Sequence, residues 1–242
     1  MITKSKSKLE YYLPIALVVV FLITGATSIY NTEYTKKPVV REKVNLHDAD
    51  YLYRFYVSAT PNIQNREYLG NPNASIFIID FIDINSNSSR YFISEIFPKL
   101  KEEYIDSGKA RFYHKNYITK DDFIAKNERF IYAQALACVI HLKKEVYYNF
   151  YFNLFELNST DEIPTLLGKY NISLRQFADC MQNNQFENII EDYSEAENFG
   201  MVGISPRFYV GIDDRANTII NGIPKYDKFK KAIREYEILL GY

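Results

Sequence analysis

The sequence predicts an α/β domain with the element order βαβ, helical block, ββα, placed after one apolar segment long enough to cross a membrane. Three observations carry that prediction. Residues 76–84, Ile-Phe-Ile-Ile-Asp-Phe-Ile-Asp-Ile, form a β-branched and aromatic run too short for a typical helix, the pattern of a strand buried on both faces. Residues 121–199 place apolar side chains at helical spacing. Residues 207–220 return to short β-rich runs around a turn at Asp213 and Asp214, and a last amphipathic segment follows over 225–240.

Residues 1–10 are a short polar tail carrying Lys4, Lys6 and Lys8. Residues 11–30 then run without a charge for about twenty positions, the length of a bilayer-spanning helix, and read as a signal anchor. Gly25, Ala26, Thr27 and Ser28 give the alternative, the small-residue end of a cleaved signal sequence. Lys36, Lys37, Arg41 and Lys43 beyond the span leave orientation undecided by charge, and the short tail makes export of the domain the expectation. The protein is therefore expected in the cell membrane, single-pass, with the domain on the extracytoplasmic side. Residues 31–67 read as a linker with a preliminary strand at 52–57, and His47 within it as a solvated side chain.

The remainder, 68–242, is long enough for one domain with a substantial core. A net charge of -1, with signs mixed along the chain, gives no basic surface for nucleic acid. Cys138 and Cys180 are the two cysteines; they show neither a Cys-x-x-Cys pair nor zinc-ligand spacing, so no metal or cofactor is expected. By themselves they read as two core thiols or one structural disulfide, according to compartment.

Within the domain, Asp80 is the odd residue of the first core strand. The polar turn 85–89 offers helix caps, and Tyr91, Phe92, Ile96, Phe97 and Leu100 follow on one helical face. Gly108 stops that helix and residues 110–117 return as a strand, giving a right-handed unit with two parallel strands. His114 falls in this second strand. A Ser86–His114–aspartate triad lacks the Gly-x-Ser-x-Gly elbow, and a packed histidine is the plainer reading. Helices are expected at 127–142, 145–157, 161–170, 173–182 and 184–199, with the tyrosines and phenylalanines of 147–155 in the core.

Four segments in this order resemble the DsbA-like branch of the thioredoxin family: Leu69-Gly-Asn-Pro-Asn-Ala74; Phe97-Pro-Lys-Leu-Lys-Glu-Glu-Tyr104 with Gly108-Lys-Ala-Arg-Phe112; Gly200-Met-Val-Gly-Ile-Ser-Pro206; and Phe229-Lys-Lys-Ala-Ile233. The resemblance spans about residues 68–238. It implies a thioredoxin fold with a helical insertion at about 121–199, export, and thiol–disulfide chemistry on secreted proteins. It also places Ser86 and Ser89 where the family carries its Cys-x-x-Cys pair. Asp80 then matches the buried acid that handles the thiol proton, and Ser205-Pro206 matches the cis-proline turn that offers its backbone to an extended peptide. Arg207 departs from the small or apolar residue usual after that proline and is expected to place a cation at the groove mouth. Cys138 and Cys180 fall where members of the branch often have cysteines, implying one structural disulfide.

The chemistry of the family needs a thiolate at a helix start, where unpaired amides lower a cysteine pKa. A serine hydroxyl neither ionises near neutrality nor forms a mixed disulfide. The expectation is thus a pseudoenzyme, without dithiol catalysis at the usual site, that binds exported peptides, exported proteins or a membrane partner. Two alternatives stand beside it: a glutathione-binding transferase or isomerase of the kappa-like class using Ser86, and an oxidoreductase working through Cys138 and Cys180. Sequons at Asn73, Asn87, Asn158 and Asn171 complete the motifs, that at Asn87 lying inside the turn.

Overall fold

Every side chain of β2 (Ile76–Ile82) is buried, so this strand needs a neighbour on each edge and a packed layer on each face. The computed structural model of the protein describes residues 60–183, 186–201, 203–212, 216–223 and 225–241, and these supply all four. β3 (Ala110–Asn116) runs parallel to β2 with Asp80 beside His114; β4 (Arg207–Ile212) runs antiparallel on the other edge with Phe81 beside Arg207. β1 (Tyr68–Gly70) and β5 (Ala216–Asn221) complete a sheet of order β1-β3-β2-β4-β5. Gly70 is needed where β1 meets β3: its φ is +115° and a Cβ there would lie 2.7 Å from the Ala110 carbonyl oxygen.

The first helix, α1, covers residues 87–105, with α-helical turns at Asn87–Tyr91 and Phe97–Leu100 alternating with π-helical turns at Phe92–Ile96 and Lys101–Ile105. Pro98 has no N–H to offer the ladder, and the wide turn just before it accommodates that loss. The helical block comprises α2 (Lys120–Ala125), α3 (Glu128–Lys143), α4 (Tyr147–Leu154), α5 (Ile163–Lys169), α6 (Leu174–Asn183) and α7 (Glu187–Asn198); α8 (Tyr226–Leu240) ends the domain. The five helices expected in the block are all present with slightly different ends. α2 is an addition to the sequence reading, set by a capping box in which Thr119 N donates to Asp122 at 2.8 Å and Asp122 N returns to the Thr119 hydroxyl at 3.3 Å.

Alternation along β2 divides the core. Ile76, Ile78 and Ile82 join α1, α8 and the aromatic residues of α4, whereas Phe77, Ile79 and Phe81 join Tyr113, Met201, Tyr209 and Ala196 of α7. A buried polar knot fastens the second layer. Arg66 donates to Glu191 and Asp192 of α7, each at 2.6 Å, the wholly buried Lys115 donates to Glu195 at 2.6 Å, and Asn116 N donates to Asp192 at 2.9 Å. Residues ahead of β1 are thereby tied to α7.

The expected membrane segment 11–30 and the linker up to residue 59 lie outside the described residues. Among the described residues no helix is long and apolar enough to cross a membrane. Cys138 of α3 and Cys180 of α6 form a disulfide with Cα atoms 5.9 Å apart and a sequence separation of 42, as the resemblance implied. Replacing both by alanine is expected to lower the unfolding free energy by up to about 4 kcal/mol through lost chain restriction, read as a drop in denaturant midpoint. Titration of two free thiols in denatured, unreduced native protein would show that the bond does not form.

Candidate functional site

The carboxyl end of β2 delivers a turn whose hydrogen bonds start α1. Asp83 Oδ1 accepts from Asn85 N at 2.9 Å, and Ser86, in extended conformation, caps the helix by accepting from Ser89 N at 3.1 Å. The hydroxyls of Ser86 and Ser89 meet at 2.8 Å; Ser86 is half-buried and Ser89 fully buried. The turn expected at 85–89 is therefore a closed local structure, with two hydroxyls side by side at the first turn of a helix.

Asp80 lies on β2, six residues before Ser86. Its carboxyl is wholly buried, with His114 Nδ1 at 2.7 Å from Oδ1 and the Tyr151 hydroxyl donating to Oδ2 at 2.8 Å. The His114 and Tyr151 rings pack with centroids 4.2 Å apart, and among the described residues His114 Nε2 is buried without a partner. Burial holds the Asp80 carboxyl above the usual carboxylate range, against the opposing influence of His114 and Tyr151. The same contact pushes the Tyr151 phenol well upward, burial being the main cause and the neighbouring Asp80 the next. The histidine thus pairs with an aspartate, and its companion in that pair is a tyrosine of α4; the Ser86 and Ser89 hydroxyls bond to each other.

The proline loop faces the end of β2. The Ser205–Pro206 bond is cis, the Ser205 hydroxyl accepts from Asp83 N at 3.0 Å, and Gly203 N donates to the Tyr117 hydroxyl at 2.7 Å. Pro206 O accepts from Gly222 N at 2.9 Å, whereas among the described residues the main-chain N–H and C=O of Ser205 have no partner. Arg207 corrects the expectation of a cation at the groove mouth. It is 6% exposed, with Nε donating to Asn221 at 2.7 Å and one terminal nitrogen to the Phe199 carbonyl at 3.0 Å. The first residue of β4 points into the domain and ties the strand to the end of α7.

Cys138 and Cys180 are both buried and both lie inside helices, away from any helix start. An apolar groove of about 540 Å³ runs between α1 and α4; Leu69, Ile93, Phe97 and Phe152 line it and Arg90 borders it. Arg90 spans the two helices by donating to the carbonyls of Phe155 and Leu157. Tyr151 reads from the sequence as core and Tyr117 as the end of a strand, and only their hydroxyl contacts mark them out. Among the described residues there is no cluster of three or more metal-ligating side chains.

With this geometry in view, comparison with known proteins is informative. A family profile described as Thioredoxin matches residues 63–235. Disulfide bond formation protein D of Bacillus subtilis is 26% identical over 188 residues, covering 74% of this chain and 80% of that protein. Among solved structures, oxidised BdbD from Bacillus subtilis superposes with a TM-score of 0.61 at 22% identity, covering 74% of this chain and 97% of that one. Chlamydia trachomatis DsbA gives 0.60 at 21% identity, covering 77% and 98%. At these identities the structural likeness is one of fold.

The buried carboxyl sets a pH test. A raised folded-state pKa means that the native protein holds the Asp80 proton more tightly than the unfolded chain does. The associated stability is complete below the unfolded value of about 4 and is lost as pH rises through the folded value. Asp80→Asn is therefore expected to be more stable than wild type at pH 8, with the gap closing as pH falls towards 4, in denaturant titrations across that range. Parallel pH profiles for the two proteins would remove Asp80 as the cause.

Proposed function

The chain belongs to the thioredoxin family, in its DsbA-like branch, and from that premise we propose that it is a membrane-tethered, extracytoplasmic binding protein in which Ser86 and Ser89 replace the reactive dithiol. The carrying observation is the serine pair itself. Two hydroxyls 2.8 Å apart occupy the first turn of the helix that follows the central strand, at the end of the sheet where the proline loop also lies, and among the described residues the Ser205 main chain has no partner. Hydroxyls at that place keep the shape of a dithiol site and lose its electron transfer, because no sulfur is there to be attacked or to leave. What remains is a main chain at Ser205 that suits pairing with an extended peptide. Exported proteins, exported peptides or a membrane partner are the expected occupants. Arg207 serves this main chain by holding β4 from within.

A second reading has its own observation: the Cys138–Cys180 disulfide favours an oxidoreductase working through those two cysteines, in keeping with a relative named for disulfide bond formation. Burial of both sulfurs opposes exchange, which requires in-line approach of a thiolate to one of them. The glutathione-binding alternative asks Ser86 to hold a ligand's thiolate, whereas that hydroxyl is already engaged with Ser89 and its amide.

One set of assays separates the three. Wild type is expected to show no insulin reduction or dithiol oxidation above background, and the Ser86→Cys, Ser89→Cys variant to gain both, because the scaffold already brings the two side chains together. Wild-type turnover that disappears on replacing Cys138 and Cys180 would establish the second reading. Thermal stabilisation by glutathione would establish the transferase.

A further inference from the structure

Two hydrogen bonds hold the proline loop where it faces the serine turn: Asp83 N donates to the Ser205 hydroxyl at 3.0 Å, and Gly203 N donates to the Tyr117 hydroxyl at 2.7 Å. The residues that supply them come from separate loops, Asp83 from the end of β2 and Tyr117 from the segment leaving β3. One side chain touches both. Arg129, in the first turn of α3, donates to Asp83 Oδ2 at 2.8 Å and lays its guanidinium 5.7 Å from the centre of the Tyr117 ring. Its other terminal nitrogen donates to Asp122 of α2.

Asp122 is itself anchored. It accepts from Thr119 N at 2.8 Å, the Thr119 hydroxyl at 2.7 Å and Asn127 Nδ2 at 2.6 Å, while Asn127 caps α3 by accepting from Phe130 N at 3.3 Å. Burial would raise the Asp122 carboxyl, but hydrogen bonds from Thr119, Asn127 and Arg129 bring it down to about 2. The Asp122 carboxylate consequently stays ionised opposite Arg129 across the neutral range. Asp83 also accepts from Asn85 N, and Asn85 donates to Glu128, the neighbour of Arg129, at 3.2 Å. The entry of the helical block and the rim of the site form one connected polar assembly.

We propose that Arg129 is the positioning residue of this site: by fixing Asp83 and Tyr117 together, it holds the proline loop so that the Ser205 main chain is presented to an extended polypeptide. The polypeptide part rests on the binding reading above; the positioning part does not. A planar, forked cation is required, since it must bridge two carboxylates in its plane while stacking its face on an aromatic ring. Lysine can satisfy one of those contacts at a time.

The test uses amide hydrogen exchange and binding in the full-length chain. In Arg129→Met the amides of Gly203 and Asp83 are expected to exchange about five- to tenfold faster, with Val210 in β4 unchanged, and Arg129→Lys to recover only part of that protection. Affinity for a fluorescein-labelled, reduced and alkylated lysozyme chain is expected to fall by a similar factor. Tyr117→Phe, which keeps the ring and removes the acceptor, should release Gly203 and leave Asp83 protected. Wild-type exchange at Gly203 and Asp83 in the methionine variant overturns the proposal, as does equal acceleration at Val210, which marks general loosening. Should the methionine variant fail to fold, the lysine variant decides the same comparison. If wild type binds no unfolded chain, the binding reading falls and the amide rates still decide the role of Arg129.

Discussion

The rest of the structure depends on the complete burial of β2. Seven consecutive side chains without water force a strand on each edge and a layer on each face, and the two faces are filled differently. One face receives α1, α8 and the aromatic helix α4; the other receives α7 and the proline-loop side of the sheet. The carboxyl end of the same strand becomes the place where the α1 turn, the segment after β3 and the proline loop converge, because β2 lies between β3 and β4. In open α/β sheets ligands gather at that end, where helix starts and loops meet. The position of the site is thus a consequence of packing, whatever chemistry occupies it.

Burial of β2 also decides how its one acid is accommodated. A carboxyl in a dry layer must be hydrogen-bonded or protonated. Asp80 meets this with His114 from the adjacent strand and Tyr151 from the insertion, so the helical block is joined to the sheet by polar contact as well as by apolar area. The opposite face solves a similar problem with full charges: Arg66 and Lys115 set against Glu191, Asp192 and Glu195. Removing the partners of Asp80 or of Lys115 would strand a buried polar atom in either layer.

Much of the architecture was legible because it rests on patterns with a fixed period. The central strand, the helix after it, the parallel return and the five helices of the block follow from runs of apolar residues. The disulfide followed from the family resemblance. What was missed depends on direction or on short-range hydrogen bonding. Arg207 was expected at the groove mouth because it follows the proline matched to the family's cis-proline turn; in the fold its side chain turns inward, and the Phe199 carbonyl and Asn221 receive it. α2 is too short for its periodicity to register, and its capping box was the available signal. The π-helical turns of α1 leave no trace in apolar spacing, although Pro98 in mid-helix points to an irregularity there. Tyr151 reads as core and Tyr117 as the end of a strand, because the apolar pattern carries no sign of what a phenol hydroxyl will meet. Arg129 was one charge among many until the folded chain brought Asp83, Asp122 and Tyr117 around it.

The Ser86–Ser89 contact has a broader consequence. A bond between two sulfurs records the electron balance of its surroundings and needs a donor or acceptor each time it opens or closes. Two hydroxyls joined by a hydrogen bond open and close by thermal motion alone. The opening of that contact therefore needs no electron donor or acceptor, whereas the Cys138–Cys180 bond of the helical block does, so the two pairs of side chains in this domain respond differently to an oxidising or a reducing medium.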